Sequence, residues 1–154
     1  MRIGILSDTH GLLRPQVLRR LAGSDRILHA GDIGDVGILR RLEAIAPVIA
    51  VRGNTDGGNA LANLPHSVEG DLDGLPFAMV HRREEVPERW LREGPRLVVF
   101  GHSHRPELEW RGSCLLLNPG ACGQRRFRLP LTVATVTLLD GNRLVPEIYA
   151  VEEA

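Results

Sequence analysis

The sequence predicts an α/β fold whose second half is α+β in character, with two packed β-sheets and helices on the outside. Two patterns predict it. Over residues 2–51, strand-like and helix-like apolar segments alternate, which is typical of parallel strands joined by right-handed crossovers. From residue 66 onwards, apolar segments come in pairs separated by short turns, which is typical of antiparallel strands. Packing the two sheets face to face would bury both sets of strands.

The first half contains three predicted strands and two predicted helices. Each strand is a short apolar run, and each helix carries apolar residues at helical spacing. Pro15 suits the first turn of the first helix, where a missing N–H leaves no bond unmade. In chain order we expect a strand over 2–7, a helix over 14–22, a strand over 26–30, a helix over 36–45 and a strand over 47–51.

The second half contains three predicted antiparallel pairs and one more helix. Asp73-Gly74 is a hairpin-turn signal in the middle of the first pair, and Pro87 stands near the start of the helix. In chain order we expect a hairpin over 66–81, a helix over 86–93, a buried strand over 96–100, a pair formed by 107–111 and 114–117, and a pair formed by 131–139 and 143–151 across Asp140-Gly141-Asn142.

Composition bounds the function classes. The chain has 154 residues, of which 43% are hydrophobic, so we expect one domain over residues 1–154. All 19 basic residues are arginine, and the absence of lysine excludes P-loop and Schiff-base chemistry. The 19 acidic residues balance the arginines and only 4% of residues are aromatic, so nucleic acid is not an expected stable partner.

The sequence predicts a cytoplasmic protein with no membrane partner. The apolar run that precedes Asp8 is four residues long, whereas a secretory signal needs about 7–15 and a membrane helix about 20. Cys114 and Cys122 form no C-x-x-C motif, so we expect two reduced thiols.

Side chains that can bind metal follow five of the predicted strands, at the point where each strand ends. The C-terminal ends of parallel strands share one sheet edge, so we expect these side chains to meet. In extended chain, alternate residues point the same way, and the two i, i+2 pairs would each aim two ligands at one place. The residues are Asp8 and His10, Asp32, Asn54, His81, and His102 and His104.

The same segments resemble the motifs of the calcineurin-like metallophosphoesterases over residues 1–150. The small size of the chain and Asn118-Pro119-Gly120 are similar to the compact YfcE-like phosphodiesterase branch. The resemblance implies a four-layer α-β-β-α sandwich and a metal-dependent phosphodiesterase. The segments that carry it are Asp8-Thr9-His10, Gly31-Asp32, Gly53-Asn54-Thr55-Asp56, His81 and Gly101-His102-Ser103-His104.

The resemblance also implies a ligand set. One ion would be held by Asp8, His10 and His104 and a second by Asn54, His81 and His102, with Asp32 bridging both. Imidazole and amide ligands favour two divalent transition-metal ions, manganese first, with nickel, iron, cobalt and zinc as alternatives.

The implied reaction is attack of a bimetal-bridging hydroxide on a small phosphoester substrate. Asp32, Asn54 and His81 are the implied catalytic residues. Asn54 is also expected to contact the substrate phosphate. Arg105 is a further candidate for that contact because it directly follows His104, the second residue of the His102 and His104 pair.

Two positions depart from the family pattern. Thr55 stands where many members carry a histidine that protonates the leaving group, so esters with activated leaving groups are the expected substrates. Arg82-Arg83 follows His81 where members often have Gly-His. We expect these arginines to lie in an exposed loop paired with Glu84 and Glu85, with a phosphate clamp as the alternative.

Two other functions stay open at this stage. A phosphomonoesterase would use the same metal centre with a different pocket. A non-catalytic protein-binding scaffold, similar to the retromer subunit that shares this fold, would be marked by lost ligands, and all seven positions are intact here. An open edge strand in the β-rich half would also allow association between copies of the chain.

Overall fold

The computed structural model describes residues 1–57, 60–126, 128–140 and 142–151. Within them the chain forms ten strands in two five-stranded sheets, three α-helices, and 3-10 turns at Ala60–Asn63 and Arg83–Glu85. The strands are β1 Arg2–Leu6, β2 Arg26–His29, β3 Val48–Ala50, β4 Ser67–Leu72, β5 Leu75–Val80, β6 Leu97–Val99, β7 Glu107–Arg111, β8 Cys114–Asn118, β9 Thr132–Leu139 and β10 Arg143–Ala150; the helices are α1 Pro15–Leu21, α2 Val36–Glu43 and α3 Glu88–Arg92.

The first sheet has the strand order β10-β9-β1-β2-β3. Strands β1, β2 and β3 are parallel, with Ile5 opposite Leu28 and Leu28 opposite Ile49, and β9 lies antiparallel to β1. The predicted βαβαβ order of the first half is therefore confirmed. The predicted pairing of β9 with β10 is confirmed as well.

The second sheet has the strand order β4-β5-β6-β8-β7. Strands β5, β6 and β8 are parallel, and β4 and β7 are antiparallel edge strands. The hairpin between β4 and β5 turns at Asp73 and Gly74, as predicted. Their φ angles are 50° and 98°, and two consecutive positive φ values suit the right-handed twist of a two-residue hairpin.

The core lies between the two sheets. Ile3, Ile5 and Leu28 of the first sheet pack with Phe77 and Val99 of the second, all buried. Helices α1 and α2 cover the outer face of the first sheet through a second apolar cluster, and α3 covers the outer face of the second sheet. These layers confirm the predicted four-layer sandwich.

The helix predicted over 86–93 is shorter than expected. Its Pro87 precedes α3 as the N-cap residue, and the preceding segment forms the 3-10 turn Arg83–Glu85. Proline has no N–H to continue the hydrogen-bond ladder, so the two pieces do not merge. None of the helices among the described residues is long and apolar enough to cross a membrane.

The fold brings strand ends from both sheets to one rim. Strands β1, β2 and β3 end there from the first sheet, and β5 and β6 from the second. Backbone hydrogen bonds tie the loops that follow: Asp8 N donates to Gly31 O at 2.9 Å, and Gly101 N donates to His81 O at 2.9 Å. The side chains predicted to bind metal follow these strands.

Candidate metal centre

Six of the seven predicted ligands form two groups at this rim. Within each group, one ligand atom of each residue lies within 4.8 Å of the others. Every group draws residues from both sheets, so the site depends on how the sheets pack. The first group is Asp8, His10 and His104, and the second is Asp32, His81 and His102.

Asp8 presents one carboxylate oxygen to the first group and anchors the other. Its Oδ1 lies 3.3 Å from His104 Nε2 and 3.5 Å from His10 Nε2. Its Oδ2 accepts hydrogen bonds from Ser7 Oγ at 2.6 Å and from the backbone N–H of His102 at 3.1 Å. Burial opposes ionisation, but the adjacent imidazoles of His10 and His104 outweigh it and hold the pKa of Asp8 below its usual range.

The two carboxylate oxygens of Asp32 also have different partners, and the residue lies between the two groups. Its Oδ2 lies 3.2 Å from His81 Nε2 and 3.6 Å from His10 Nε2, so it reaches a member of each group. Its Oδ1 accepts hydrogen bonds from the backbone N–H and the hydroxyl of Thr55, at 3.0 and 2.8 Å. Burial is outweighed by the adjacent imidazole of His81 and the hydrogen bonds from Thr55, which lower the pKa of Asp32 to about 2.

His81 is oriented by a backbone carbonyl. Its Nδ1 lies 2.7 Å from Ala30 O and donates to it, which leaves Nε2 as the ligand atom. Burial favours the neutral ring, but the adjacent carboxylates of Asp32 and Asp8 outweigh it and raise the pKa of His81. The negative potential that favours a proton at this nitrogen also favours a metal cation.

Asn54, the seventh predicted ligand, lies beside the second group. Its Oδ1 is 3.1 Å from His102 Nδ1, and its side chain is exposed to solvent. The structure therefore places Asn54 beside His102 at the solvent-exposed side of the rim.

The donor atoms suit divalent metal ions. Asp8 Oδ1, His10 Nε2 and His81 Nε2 are buried and have no hydrogen-bond partner among the described residues. Leaving buried polar atoms unpaired costs free energy, so a native site normally supplies a partner. The ion-pair separations within the groups, 3.2–3.5 Å, are close to the roughly 3.0–3.4 Å expected between donor atoms about 2.1 Å from one ion.

The backbone of the rim is strained. Five of the candidate ligands have positive φ, a conformation that costs a non-glycine residue free energy: Asp8 (55°), His10 (45°), Asp32 (55°), His102 (71°) and His104 (64°). The extended-chain geometry expected for the i, i+2 pairs is therefore wrong. Asp8 and His10 nevertheless share one group, as their spacing predicted, whereas His102 and His104 point into different groups.

Two glycines allow the strand ends to approach closely. A Cβ on Gly53 would collide with Asp32 N and Oδ1, and one on Gly101 would collide with Ser7 Oγ and lie 2.8 Å from Asp8 Oδ2. Both positions need a residue without a side chain because both candidate carboxylates are packed against them.

Asp56 supports the rim from below. It is buried, and its carboxylate accepts backbone N–H bonds from Ile33 at 3.0 Å, Gly34 at 3.2 Å and Gly53 at 2.9 Å. It thereby joins the loop after β2 to the loop after β3. This geometry supports a role for Asp56 in positioning its neighbours.

His29, at the end of β2, is a buried structural histidine. Its Nδ1 accepts from Gly31 N at 3.1 Å, so Nε2 carries the proton and donates to Thr9 Oγ1 at 3.1 Å. The Thr9 hydroxyl donates to Ile33 O at 2.8 Å. Burial lowers the pKa of His29 to about 4, which keeps the ring neutral.

The predictions for the arginines need one correction. Arg82 Nε lies 3.9 Å from Glu85 Oε1, which agrees with the expected loop ion pair. Arg83 pairs instead with Glu107 and Glu109 of β7, at 3.1 and 2.8 Å, because the loop folds back over the second sheet.

Arg105 is exposed, and neither of the two cavities that border the histidines includes it in its lining. Its contact with substrate stays a prediction. Cys114 and Cys122 are buried and free, as expected.

The supporting roles of Ser7 and Thr55 and the position of Arg52 were not predicted from the sequence. Ser7 and Thr55 donate hydrogen bonds to Asp8 and Asp32, and each adjoins a motif residue, so proximity in sequence was an available signal. Arg52 lines a cavity beside His81. Nothing in its local sequence distinguishes it from the other arginines.

The sequence and the fold are similar to those of known proteins. The chain is 32% identical, over 79% of its length and 68% of the relative's, to the probable metallophosphoesterase MJ0623 of Methanocaldococcus jannaschii. It is 27% identical to the phosphodiesterase MJ0936 of the same organism, over 93% of the chain and 95% of the relative. The structure of vacuolar protein sorting 29 from Cryptosporidium parvum shares the fold, with a TM-score of 0.75 at 18% identity over 97% of each chain.

The family model described as the calcineurin-like phosphoesterase superfamily domain matches residues 1–141, which include both ligand groups and Asn54. The chain therefore belongs to the calcineurin-like phosphoesterase superfamily.

Proposed function

We propose that this protein is a metal-dependent phosphodiesterase that hydrolyses a P–O bond of a small phosphoester in the cytoplasm. The observation that carries the proposal is the position of Asp32 Oδ2, within 3.6 Å of a histidine from each ligand group. A carboxylate oxygen in that position suits a bridge between two metal ions. The 27% identity to a phosphodiesterase supports the diester preference.

The metal ions, manganese or another divalent transition metal, would supply Lewis-acid polarisation of the phosphate and an activated water. The four imidazoles, two carboxylates and one amide of the site are ligands that such metals accept. Asp8, His10 and His104 would hold one ion; His81, His102 and Asn54 would hold the other.

Neighbouring side chains keep the carboxylates of Asp8 and Asp32 charged and oriented. Asp8 and Asp32 remain ionised at neutral pH because their histidine partners stabilise the carboxylates. Each carboxylate has one oxygen anchored by hydrogen bonds, so its other oxygen is aimed at the histidines. The Asn54 side chain, exposed at the rim, is placed to donate from its amide nitrogen to a phosphate oxygen.

No covalent intermediate is part of the proposal. Ser7 is the hydroxyl nearest the carboxylates, and it is buried and donates to Asp8 Oδ2. The Thr55 hydroxyl is committed to Asp32 in the same way. Because neither hydroxyl can protonate a leaving group from these positions, we expect aryl esters with good leaving groups to be hydrolysed fastest.

The experiment is an activity assay of metal-stripped protein reloaded with manganese, nickel, iron, cobalt or zinc. Turnover of bis(4-nitrophenyl) phosphate should return with metal and exceed that of 4-nitrophenyl phosphate. Asp32→Asn should abolish it. Asp73→Asn is the matched control, because Asp73 has a similar φ of 50° and lies in the β4–β5 turn. Full turnover by Asp32→Asn would refute the mechanism, and a preference for the monoester would favour the phosphomonoesterase.

A scaffold function has one observation in its favour. Leu108 and Trp110 of the edge strand β7 are 44% and 49% exposed, an apolar surface that a protein partner could cover. A protein with this function would show no metal-dependent hydrolysis of either ester. The paired and oriented carboxylates of the rim favour the enzyme.

A further inference from the structure

A cavity of about 220 Å³ opens beside the second ligand group. His81 and Asn54 form the side of the cavity nearest the candidate metal ions, and Arg52, His66 and Arg82 line the rest of it together with the loop after β3. A molecule whose phosphoester lay at the metal centre would have its neighbouring substituent in or near this cavity.

Arg52 lines the cavity with a positively charged guanidinium, and no acid among the described residues forms an ion pair with it. Its guanidinium donates one hydrogen bond, to Ala62 O at 3.3 Å. In the part of the chain that the structure describes, no carboxylate lies within 4.0 Å of it. The Arg52 side chain is exposed, so its remaining N–H donors face solvent or the cavity.

Arg82 brings a second charge that is only weakly compensated. Its Nε lies 3.9 Å from Glu85 Oε1, and it donates no hydrogen bond to any described residue. The other oxygen of Glu85 is already hydrogen-bonded to His66 Nε2. Glu85 is thus shared between two basic side chains, and the Arg82 guanidinium keeps donors for a further anion.

Asp56, the acidic residue that lines the cavity, does not neutralise the two arginine charges at the accessible surface. Asp56 lines the cavity, but it is buried, and its carboxylate is turned to the backbone N–H groups of Ile33, Gly34 and Gly53. The accessible lining therefore carries a net positive charge and unused guanidinium donors. Guanidinium groups with free donors bind phosphate bidentately.

We propose that this cavity is a subsite for a second phosphate group of the substrate, bound by Arg52 and Arg82. The inference rests on the proposed function for the position of the scissile ester and extends it to the substrate class: a phosphodiester that also carries a phosphate monoester, as in a nucleotide with a terminal phosphate. A phosphate is small enough for the cavity, and its charge matches the lining.

The test compares two ligands by calorimetry on the manganese-loaded protein. Thymidine 3′,5′-bisphosphate should bind at least about tenfold more tightly than thymidine 5′-monophosphate, since the added phosphate gains charge-assisted hydrogen bonds. Arg52→Ala and Arg82→Ala should each reduce this ratio, and the double variant should bring it close to one. Arg52→Lys and Arg82→Lys keep the charge but lose the paired donors, so their affinity ratios should lie between those of wild type and the alanine variants.

Arg40→Ala is the matched control. Arg40 is exposed on α2, outside the cavity lining, so its loss should leave the ratio unchanged. Equal binding of the two ligands to wild type, or a ratio that survives the double variant, would overturn the subsite. Failure of the subsite is seen in binding, as loss of the affinity ratio between the two ligands. Failure of the proposed function would look different: the affinity ratio would hold, but neither ester of the activity assay would be hydrolysed.

A kinetic comparison gives a second readout. The 4-nitrophenyl ester of thymidine 5′-phosphate with a 3′-phosphate should have a lower KM than the ester without one, at similar kcat, because the subsite binds ground state and transition state alike. The two arginine variants should raise KM for the phosphate-bearing ester most. A loss confined to kcat and equal for both esters would contradict a binding role.

Discussion

The Thr55 hydroxyl donates a 2.8 Å hydrogen bond to Asp32 Oδ1, and the Thr55 N–H donates to the same oxygen at 3.0 Å. The two bonds hold that oxygen away from the histidines and leave Oδ2 facing His81 and His10. Thr55 therefore orients a candidate bridging ligand. The family resemblance implies a histidine that protonates the leaving group at this position, whereas Thr55 donates hydrogen bonds to Asp32.

Replacing Thr55 with valine should weaken metal binding about tenfold, because groups that orient a metal ligand typically contribute about 10–100-fold to affinity and the backbone bond to Asp32 remains. Thr55→Ser keeps a hydroxyl and should stay near wild type. Manganese affinity measured by calorimetry distinguishes the two variants. Equal affinity in Thr55→Val and wild type would show that the bond does not orient Asp32.

Asp56→Asn should lower the free energy of unfolding by about 2 kcal/mol, since hydrogen bonds to a charged acceptor contribute about 1.5–3 kcal/mol and the buried carboxylate accepts from three N–H groups. Urea unfolding in the presence of a chelator measures the loss. Asp71→Asn is the control: Asp71 is exposed and accepts one N–H, from Gly74, so the change should be much smaller. Equal losses at the two sites would argue against the role given to Asp56.

Stability should fall with acid through His29. The pKa of His29 is about 4 in the folded chain and 6.5 ordinarily, because burial disfavours the charged ring. Between those values the unfolded chain binds a proton that the folded chain does not, so stability present above pH 6.5 is lost as the pH falls towards 4. The loss is about 3 kcal/mol.

His29→Asn removes this titration while keeping an acceptor and a donor. Unfolding of the chelated protein between pH 4 and pH 7 should therefore depend less steeply on pH in His29→Asn than in wild type. Parallel curves for the two proteins would assign the acid sensitivity to other groups.

The strained backbone at His10 predicts an unusual order of stability. With φ at 45°, His10→Gly should be more stable than His10→Ala by about 1 kcal/mol, because only glycine adopts this region without steric cost. Both variants lack the imidazole, so metal binding does not separate them. His66, whose φ is not positive, should show the opposite order, with alanine above glycine. Chemical denaturation of the four variants checks this, and the same order at both sites would contradict strain at His10.

The strands and the rim were predictable because they depend on local patterns. Short apolar runs mark β1, β2 and β3, and parallel strands necessarily end at a common edge. The polar residues after those runs, Asp8 and Asp32 among them, could therefore be placed together without knowing any side-chain conformation.

The division of ligands into two groups could not be derived from spacing. Asp8 and His10 share a group, whereas His102 and His104 point into different groups, although both pairs have the same spacing and all four residues have positive φ. That conformation is imposed by contacts such as the bond from His102 N to Asp8 Oδ2, which joins residues 94 positions apart. Only the family resemblance assigned them to different metals.

Long-range contacts also explain the other differences. Arg83 was expected to pair with its neighbouring glutamates but reaches Glu107 and Glu109 on β7. The 3-10 turn Ala60–Asn63 shows no periodic apolar pattern, and its one buried residue is Leu61. Arg52 is equivalent to the other arginines in sequence and becomes significant through the cavity that it lines.

In the proposed metal centre each ligand group binds one divalent cation. The most direct measurement is anomalous diffraction from crystals grown with manganese. We predict two anomalous peaks, one among Asp8, His10 and His104 and one among Asp32, His81 and His102, with Asp32 in contact with both. Crystals that show no peak at this rim, or that show these side chains turned away from one another, would contradict the metal centre and with it the assignment as a hydrolase.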